Sequence, residues 1–484
     1  MCLALTVLVT VMVPLQTATG GPIQIGNSKQ LFIDDFVIDS LNNLTKTVHH
    51  PERYHENPVL TGTEPWERWL LEVNGRPVLY DEETQEFKMW YGAHLIDRTA
   101  PSHTRFKVCY AVSKDAVHWT RPNLGQVEWE GSGNNNILKW GENWMRRPNV
   151  IKDLQDPDPD RRFKMTYVDV IGGRTAIAKA YSKDGIHWQL NGDGKPWFRA
   201  EHNSNLLGWD PRSGKYVIYP RVPGPPTSDG QSASAAIGRS TSTDFVTWSE
   251  PQTVLAPTSA DRGKDFKGLA AFVYGDVYLG FLWVFERNQT ADAELAFSRD
   301  CLRWQRISPG EFFFRRGPPG SWDSEMILPV APVVFADKIW IYYSGWNLPY
   351  TEQAMERAQA GWVEDGRRMQ RAIGLATLRL DGFVSLDAGE QLGTLTTKAL
   401  EVPGGRLMVN AAVRRELRAE ILDDSAKVLP GYSVVDCEPI RADGIEQTIR
   451  WKGKPNLNAL RGKSIKLRFL LSDGSLYAFW FDRN

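Results

Sequence analysis

Two carboxyl groups near residue 325 are spaced for acid–base chemistry. Asp323 and Glu325 stand at alternate positions of a predicted strand, which places both side chains on the same face. Two carboxyl groups in one pocket can divide the work of a hydrolysis, because one protonates the leaving oxygen while the other attacks or activates water. The spacing therefore predicts a hydrolytic site at this strand.

Other kinds of catalytic or cofactor site are not indicated. The sequence contains no G-x-S-x-G, H-E-x-x-H or Gly-rich phosphate-binding motif. His49, His50 and His55 share a loop without metal-ligand spacing, and the cysteines lack the spacing of a metal site or a redox pair. We therefore expect neither a metal ion nor another cofactor.

The elements that must position these residues follow from an internal repeat. The pattern S-x-D-x-x-x-W ends at Trp119, Trp188, Trp248 and Trp304, and a degenerate copy without the Trp begins at Asp381. The Ser and Asp side chains can accept hydrogen bonds from turn amides. We therefore expect each copy to be a structural turn whose Trp packs between neighbouring sheets.

The repeat predicts an all-β fold. Each interval between successive Trp residues holds a four-stranded sheet with its loops, and strand-like runs recur in the same order in each. We therefore expect a five-bladed β-propeller over residues 21–386. The periodicity then changes, and runs that end with the aromatic segment 477–481 indicate a C-terminal β-sandwich over residues 387–484.

The N-terminal segment predicts export. Leu3 to Leu15 is an almost unbroken apolar stretch, and Ala18 and Gly20 supply small residues for cleavage, which is typical of a signal peptide over residues 1–20. The stretch is too short to span a bilayer. We therefore expect a secreted or periplasmic protein with no membrane insertion of the mature chain.

Composition limits the class of partner. The 484 residues carry a formal net charge of -1, which gives no indication of a nucleic-acid partner. The 19 Trp residues offer flat faces that suit sugar rings, although we expect most of them to be packing residues. A carbohydrate is the expected partner, and the oligomeric state is left open.

Five blades followed by a β-sandwich resemble the architecture of glycoside hydrolase family 32, and the propeller is also similar to those of families 43 and 130. The resemblance covers nearly the whole mature chain. It implies that catalytic groups lie at the central funnel, where the innermost strand of each blade begins. It also implies that Glu325, on a late blade, is the acid, and that its partner is a carboxylate among Asp34, Asp35, Glu67 and Glu72.

The same rule places substrate-binding candidates around the funnel. They are Arg146, Arg147, Asn149, Asn205, Arg221, Asp265, Lys267 and Trp322. The cationic members could grip a carboxylate, sulfate or phosphate, or could instead pair with the acids at the strand starts.

The sequence departs from family 32 at its motifs. W-x-N-D-P-N, R-D-P and E-C are missing from their expected places, and the blade 2 segment beginning at Arg146 resembles R-D-P with its Asp replaced by Arg147. This replacement favours an acidic or substituted sugar over a neutral fructan.

We therefore expect a secreted glycoside hydrolase that acts on a polysaccharide or oligosaccharide by paired-carboxylate chemistry. A phosphorylase similar to family 130 is one alternative, in which the cations hold phosphate and one carboxylate suffices. A non-catalytic glycan-binding protein is the other, since the family motifs are missing.

Overall fold

The computed structural model describes residues 21–96, 104–139, 146–171, 174–190, 204–224, 235–286, 289–364 and 366–482. The predicted signal peptide, residues 1–20, lies outside these ranges. The chain divides into two compact units, one formed by residues 48–384 and the other by the remaining N-terminal and C-terminal segments.

The larger unit contains five antiparallel blades, which we number along the chain. Blades 1 to 3 comprise Leu71–Glu72, Val78–Asp81, Glu86–Ile96 and Thr104–Ser113; Arg146–Lys152, Phe163–Ile171, Arg174–Ser182 and Trp188–Leu190; and Ser204–Asp210, Lys215–Pro223, Ala235–Ser242 and Gln252–Leu255. Blades 4 and 5 comprise Lys264–Tyr274, Val277–Glu286, Ala291–Ser298 and Gln305–Arg306; and Met326–Pro329, Val333–Phe335, Lys338–Trp346, Arg371–Arg379 and Glu52–Arg53. In blades 1 and 5 the first two ranges together form one interrupted inner strand.

The middle strands are apolar on both faces. Val277–Glu286, the second strand of blade 4, is buried at its first eight positions. Strands that are covered on both faces favour continuous runs of β-branched and aromatic residues, because no face meets water. The neighbouring blades provide this cover.

The repeated turns have the predicted structural role. In blade 2, Oδ1 of Asp184 accepts hydrogen bonds from the backbone N–H groups of Ile186 and His187, both at 2.8 Å. The ring of Trp188 lies 6.5 Å from that of Trp90 in blade 1. Each turn therefore fixes its own loop and directs a large ring against the preceding blade.

The degenerate fifth copy keeps this function with a different ring. Phe383, two residues after Asp381, supplies the ring in place of the missing Trp, and this ring lies 5.2 Å from Tyr274 and 5.9 Å from Phe272 of blade 4. The Tyr274 hydroxyl donates to Oδ1 of Asp381 at 2.7 Å. A smaller aromatic ring is sufficient here because Tyr274 fills the remaining space and bonds to the turn.

The ring of blades is closed by a strand from the beginning of the unit. Glu52–Arg53 pairs with Ala376 and Thr377 as the outer strand of blade 5. Blade 5 then meets blade 1 through Ser344, whose hydroxyl donates to the Val73 carbonyl and accepts from the Val73 amide. The larger unit is therefore a five-bladed β-propeller.

The smaller unit is a β-sandwich. Its strands are Gln30–Leu31, Ile38–Asn42, Gly393–Thr397, Leu400–Glu401, Arg406–Leu422, Asp443–Ile449 and Ser464–Asp482, with Thr45–Val48 and Val384–Ala388 at the points where the chain passes between units. Phe32, Phe469 and Phe479 form part of its core, with ring centroids 5.4 to 6.2 Å apart.

Residues 21–47 differ from the sequence-based assignment, which placed them in the propeller. Gln30 pairs with Phe479, and Ile38 pairs with Thr397. These segments therefore complete the sheet of the sandwich, because the apolar residues around Phe32 find their burial against its last strand.

Short helical elements occur in the connections. They are Pro159–Arg161, Ser259–Asp261 and Asn458–Leu460, which are single 3-10 turns, and the α-helix Glu352–Gln359. Across the described ranges, no helix is long and apolar enough to cross a membrane.

The turn carboxylates should stabilise the propeller in a pH-dependent manner. In blade 4, Asp300 accepts backbone hydrogen bonds from Leu302 and Arg303 at 3.0 and 2.7 Å. Burial raises the pKa of Asp300, but these hydrogen bonds outweigh burial and lower it from 3.8 to about 2. We expect Asp300→Ala to reduce the free energy of unfolding in urea by about 1–2 kcal/mol at pH 7.

The stabilisation by the Asp300 carboxylate should depend on pH in a defined direction. The stabilisation is complete above pH 4, where the unfolded carboxyl is ionised, and is lost as the pH falls through the folded pKa of about 2. The difference between Asp300→Ala and the wild type should therefore shrink as the pH falls from 4 to 2. The exposed Glu250→Ala is the control; a loss of stability of equal size at pH 2 and pH 7 would contradict the role of the charge.

Candidate active site

Glu72 is a buried carboxylate at the start of blade 1 between two arginines. Its Oε1 lies 3.8 Å from Nε of Arg147, and its Oε2 lies 3.9 Å from Nη1 of Arg371. Both distances exceed a hydrogen bond, and Oε1 is buried with no hydrogen-bond partner among the described residues. A buried, unbonded oxygen in a charged cluster indicates a position for water or a ligand hydroxyl.

Arg147 reaches Glu72 from a distorted strand start in blade 2. Thr166 pairs with Asn149 and Val168 pairs with Arg146, so the inner strand carries one extra residue at this point. Arg147 has φ of 59°, a left-handed conformation that is uncommon for a residue with a side chain. Such bulges redirect side chains and occur next to active sites.

Arg371 is fully buried and has unusual partners. Its Nη1 lies 3.1 Å from Nδ1 of His94, and its Nη2 donates to the sulfur of Met355 at 2.7 Å. The guanidinium carbon lies 3.7 Å from the centre of the Trp346 ring. Burial lowers the pKa of Arg371 to about 10, so the group remains a cation at neutral pH.

His94 is held neutral beside these cations. Burial is the largest cause that lowers its pKa well below 6.5, followed by the charges of Arg371, Arg147 and Arg146. Because Nδ1 accepts from Arg371, the ring proton lies on Nε2. That Nε2 is buried with no hydrogen-bond partner in the described part of the chain.

Aromatic rings extend the cluster towards blade 4. The rings of Trp346 and Tyr350 are stacked, with centroids 5.5 Å apart and planes 12° apart. Tyr350 also contacts Phe285 of blade 4 edge to face at 6.4 Å. Burial of the hydroxyl raises the pKa of Tyr350, although the residue keeps 43% of its surface exposed, but the charges of Arg147 and Arg371 outweigh this effect, so the pKa is lower than its usual 10.0.

The backbone of Glu325 is hydrogen-bonded to Trp346, one of the two stacked rings. Its amide donates to the Trp346 carbonyl at 2.8 Å, and its carbonyl accepts from Ala291 at 3.2 Å. The side chain is half-buried, and its carboxylate makes no hydrogen bond or ion pair with the described residues. Glu325 therefore has an unengaged carboxylate at the start of the blade next to that of Glu72.

Asp323 does not share this situation. The strand begins only at Met326, so Asp323 and Glu325 lie in the preceding turn and the expected alternation does not apply. Asp323 is buried, and it accepts from Nε of Arg53 at 2.9 Å, from Ser321 at 2.8 Å and from Tyr343 at 3.2 Å. These contacts give Asp323 a structural role within blade 5.

Trp322 is also engaged in packing. Its ring stacks on Tyr343 at 5.6 Å. Gly345 and Gly374 lie so close to this ring that a Cβ on either residue would fall within 3.0 Å of it. The substrate-binding role expected for Trp322 is therefore replaced by packing against the second and third strands of blade 5.

Asn149 links blades. Its Oδ1 accepts from the amides of Arg76 and Leu206, both at 3.0 Å, and its Nδ2 donates to the carbonyls of Arg147 and Ser204. Its buried amide has four partners and no capacity for a sugar. Glu67 is similarly occupied, since Arg121 donates to both of its oxygens at 2.8 and 2.9 Å.

Three further candidates lie at the strand starts of blades 3 and 4. Lys267 pairs with Asp265 at 3.2 Å, and its Nζ lies 4.8 Å from the ring centre of Phe285, which connects this pair to Tyr350. Asn205 is buried, and neither end of its amide has a hydrogen-bond partner among the described residues.

Two arginines complete the set. Arg146 lies 5.3 Å from the ring centre of Phe106, which in turn stacks on His94 at 4.3 Å, so Arg146 belongs to the cluster around Glu72. Arg221 lies on the second strand of blade 3, opposite Ile237.

Asp35 belongs to the sandwich unit. Its carboxylate pairs with Lys46 at 2.9 Å, and its side chain is 74% exposed. It lies in a different unit from Glu72 and Glu325.

Within the described ranges, no group of three or more His, Cys, Asp or Glu side chains is placed to hold a metal ion.

The sequence analysis missed Arg371, His94 and Tyr350. Arg371 lies on the third strand of blade 5, His94 on the second strand of blade 1 and Tyr350 in an insertion of blade 5, whereas the sequence-based candidates lie at the first strand of each blade. A signal was present, because Arg371 and His94 are charged or polar residues near the ends of strands whose central residues are mostly apolar.

No protein-family model matches the chain, and a search of curated proteins finds no match. Solved structures are similar at low sequence identity. A glycosyl hydrolase from Bacteroides ovatus is 16% identical over 69% of this chain and 94% of its own, with a TM-score of 0.46. A structure from a study of the GH130 family of mannoside phosphorylases is 15% identical over 69% and 94%, with a TM-score of 0.45.

A third similar structure is an N-acetylgalactosamine deacetylase from F. plautii. It is 12% identical over 71% of this chain and 97% of its own, with a TM-score of 0.43. At these values the comparisons assign no activity to this chain, and the site itself must support any proposal.

Substitutions of Asp323 and Glu325 should differ in their effect on the free energy of unfolding. We expect Asp323→Ala to reduce the free energy of unfolding by about 2–3 kcal/mol, because it leaves Arg53, Ser321 and Tyr343 without their acceptor. Glu325→Gln should change it by less than about 0.5 kcal/mol, because its carboxylate bonds to none of the described residues. Urea unfolding followed by Trp fluorescence measures both; a large loss for Glu325→Gln would show that this residue is structural.

Proposed function

We propose that the protein is an extracytoplasmic glycoside hydrolase that acts on a polysaccharide or oligosaccharide. The observation that carries the proposal is the pair of Glu72 and Glu325 at the strand starts of adjacent blades. Each has carboxylate oxygen that is not hydrogen-bonded to the described residues. Aromatic rings and three arginines lie in the cluster around Glu72, and the Glu325 amide donates to the carbonyl of Trp346 in that cluster. Export rests on the apolar segment Leu3 to Leu15.

The two carboxyl groups differ in a way that suits separate roles. Two guanidinium groups flank Glu72, an arrangement that suits a carboxylate that attacks the sugar or activates water. Glu325 has no cation within ion-pair distance among the described residues, which suits the group that delivers a proton to the leaving oxygen. We therefore assign Glu325 as the acid and Glu72 as its partner.

The cations favour a sugar that carries negative charge. Arg146, Arg147 and Arg371 lie around the single carboxylate of Glu72. Burial lowers the pKa of His94 and the charges of these arginines lower it further, whereas burial raises the pKa of Tyr350 and the same charges lower it. A carboxylate or sulfate on the sugar would form charge-assisted hydrogen bonds with such groups. An acidic or substituted sugar is thus the proposed substrate class.

The same cations support a second candidate, a glycoside phosphorylase. In that reaction phosphate attacks the sugar, so the arginines would bind phosphate and Glu325 alone would supply the proton. The two candidates differ in whether turnover needs inorganic phosphate and in whether the product is a free sugar or a sugar phosphate.

Activity assays test the proposal directly. The protein should release reducing sugar from at least one member of a panel of acidic, sulfated and neutral glycans without phosphate. Glu325→Gln and Glu72→Gln should each lower kcat by roughly 10²–10⁴-fold, because each removes an acid–base or nucleophilic group. The exposed Glu364→Gln, in the hairpin of Val363–Glu364 and Arg367–Arg368 that follows the helix Glu352–Gln359, is the matched control.

Three outcomes contradict the assignment in different ways. Turnover that requires phosphate and yields sugar phosphate would replace the hydrolase with the phosphorylase. Binding without turnover in either buffer would indicate a glycan-binding protein. Full activity of Glu325→Gln would remove Glu325 from the mechanism.

Charge at residue 147 should determine substrate preference. Arg147→Gln removes one of the two cations that flank Glu72, so KM for the acidic glycan should rise by roughly tenfold while a neutral glycan is much less affected. Arg147→Lys keeps the charge and should recover part of the loss. Steady-state kinetics at low and high salt measure the effect; an equal change for acidic and neutral glycans would contradict charge recognition.

A further inference from the structure

Residues 347–370 form an insertion between the second and third strands of blade 5. It contains the helix Glu352–Gln359 and the hairpin Val363–Glu364 and Arg367–Arg368. The insertion begins directly after Trp346 and ends directly before Arg371. Two residues of the cluster around Glu72 therefore mark its ends.

The insertion is fixed to blade 1. The side chain of Gln359 accepts from the Ile96 amide at 2.6 Å and donates to the Ile96 carbonyl at 2.9 Å. The buried residues Leu70, Leu348, Ala358 and Met369 belong to one apolar cluster with Ile96. This anchoring holds Tyr350, which lies within the insertion, in a defined position.

Tyr350 is the outermost member of a stacked column. The Arg371 guanidinium lies 3.7 Å from the centre of the Trp346 ring, and Trp346 lies 5.5 Å from Tyr350 with nearly parallel planes. Trp346 is buried at 2% exposure, whereas Tyr350 keeps 43% of its surface exposed. Within this column, Tyr350 is therefore the residue that can offer a ring face to a ligand.

The exposed ring lies beside the charged groups of the site. Glu72, Arg146, Arg147 and Arg371 all act electrostatically on the Tyr350 hydroxyl. A sugar ring has apolar C–H faces and polar edges, so it stacks on an aromatic ring while its substituents bond to neighbouring polar groups. A ring on Tyr350 would direct its edge towards these arginines and Glu72.

We infer that Tyr350 is the sugar-binding platform of the candidate active site, on which one pyranose unit with an anionic substituent stacks beside Glu72. This inference rests on the proposed glycan-processing function. Tyr350 positions the sugar through its ring face, and Trp346 and Arg371 support that ring from below. The hydroxyl adds a hydrogen bond at the edge of the bound sugar.

Affinity electrophoresis tests the inference without requiring turnover. Native gels that contain polygalacturonate, alginate, heparin or carboxymethyl cellulose are run with the full chain carrying Glu325→Gln, so that the polysaccharide is not degraded. We expect at least one gel to retard this protein. In that gel, Tyr350→Ala should raise the dissociation constant by roughly three- to tenfold, as expected for loss of one aromatic stacking contact.

Two further variants separate the ring from other effects. Tyr350→Phe keeps the stacking face and should retain most of the affinity. Trp362→Ala removes another exposed aromatic residue of the same insertion, which is 51% exposed, and should leave the affinity unchanged. Unchanged thermal unfolding of all variants would show that the insertion remains folded.

The outcomes distinguish this inference from the proposed function. Retardation that is equal for Tyr350→Ala and its parent would overturn the platform while leaving glycan binding intact. A loss in Tyr350→Phe as large as in Tyr350→Ala would assign the effect to the hydroxyl and would also overturn stacking. No retardation in any gel, together with no turnover in the glycan panel, would refute the proposed function and the platform with it.

Discussion

The packing of one large ring from each repeated turn against the preceding blade is the interaction on which the propeller depends. A single four-stranded sheet cannot bury both of its faces, so each blade is stable only with neighbours on both sides. The turn carboxylates hold the loops that present Trp188, Trp304 and Phe383. Because the blades are closed into a ring, the starts of their inner strands converge, and side chains far apart in sequence share one cluster.

Much of this fold could be predicted because the repeat is local. S-x-D-x-x-x-W contains its own hydrogen-bond acceptors and its own packing ring, so its role can be derived without knowing the partners. The closing strand could not be predicted, because Glu52–Arg53 has two exposed residues and no alternating pattern. The assignment of residues 21–47 failed for a related reason, since strand propensity does not identify which sheet a segment joins.

The site could be predicted only in part. Glu72, Arg146 and Arg147 lie on inner strands, as the resemblance implies for site residues, and the structure brings them together. Asp323 and Asn149 are also near strand starts, but their polar atoms already have partners within the fold. Asp323 accepts a hydrogen bond from Arg53, and the amide of Asn149 bonds to backbone groups of three blades. Sequence position cannot distinguish these cases, because the difference lies in whether hydrogen-bonding capacity is already used within the fold.

The cluster around Glu72 is difficult to explain as a stabilising device. A buried ion pair stabilises a protein only when its geometry is good, yet here the charged atoms lie 3.8 and 3.9 Å apart. Arg147 adopts a left-handed backbone, and buried atoms of Glu72, His94, Trp346 and Arg371 lack hydrogen-bond partners among the described residues. Each feature costs stability. Local departures of this kind cluster at functional sites, where a ligand can supply the missing partners, and this supports the proposal that the cluster around Glu72 binds a polar, charged substrate.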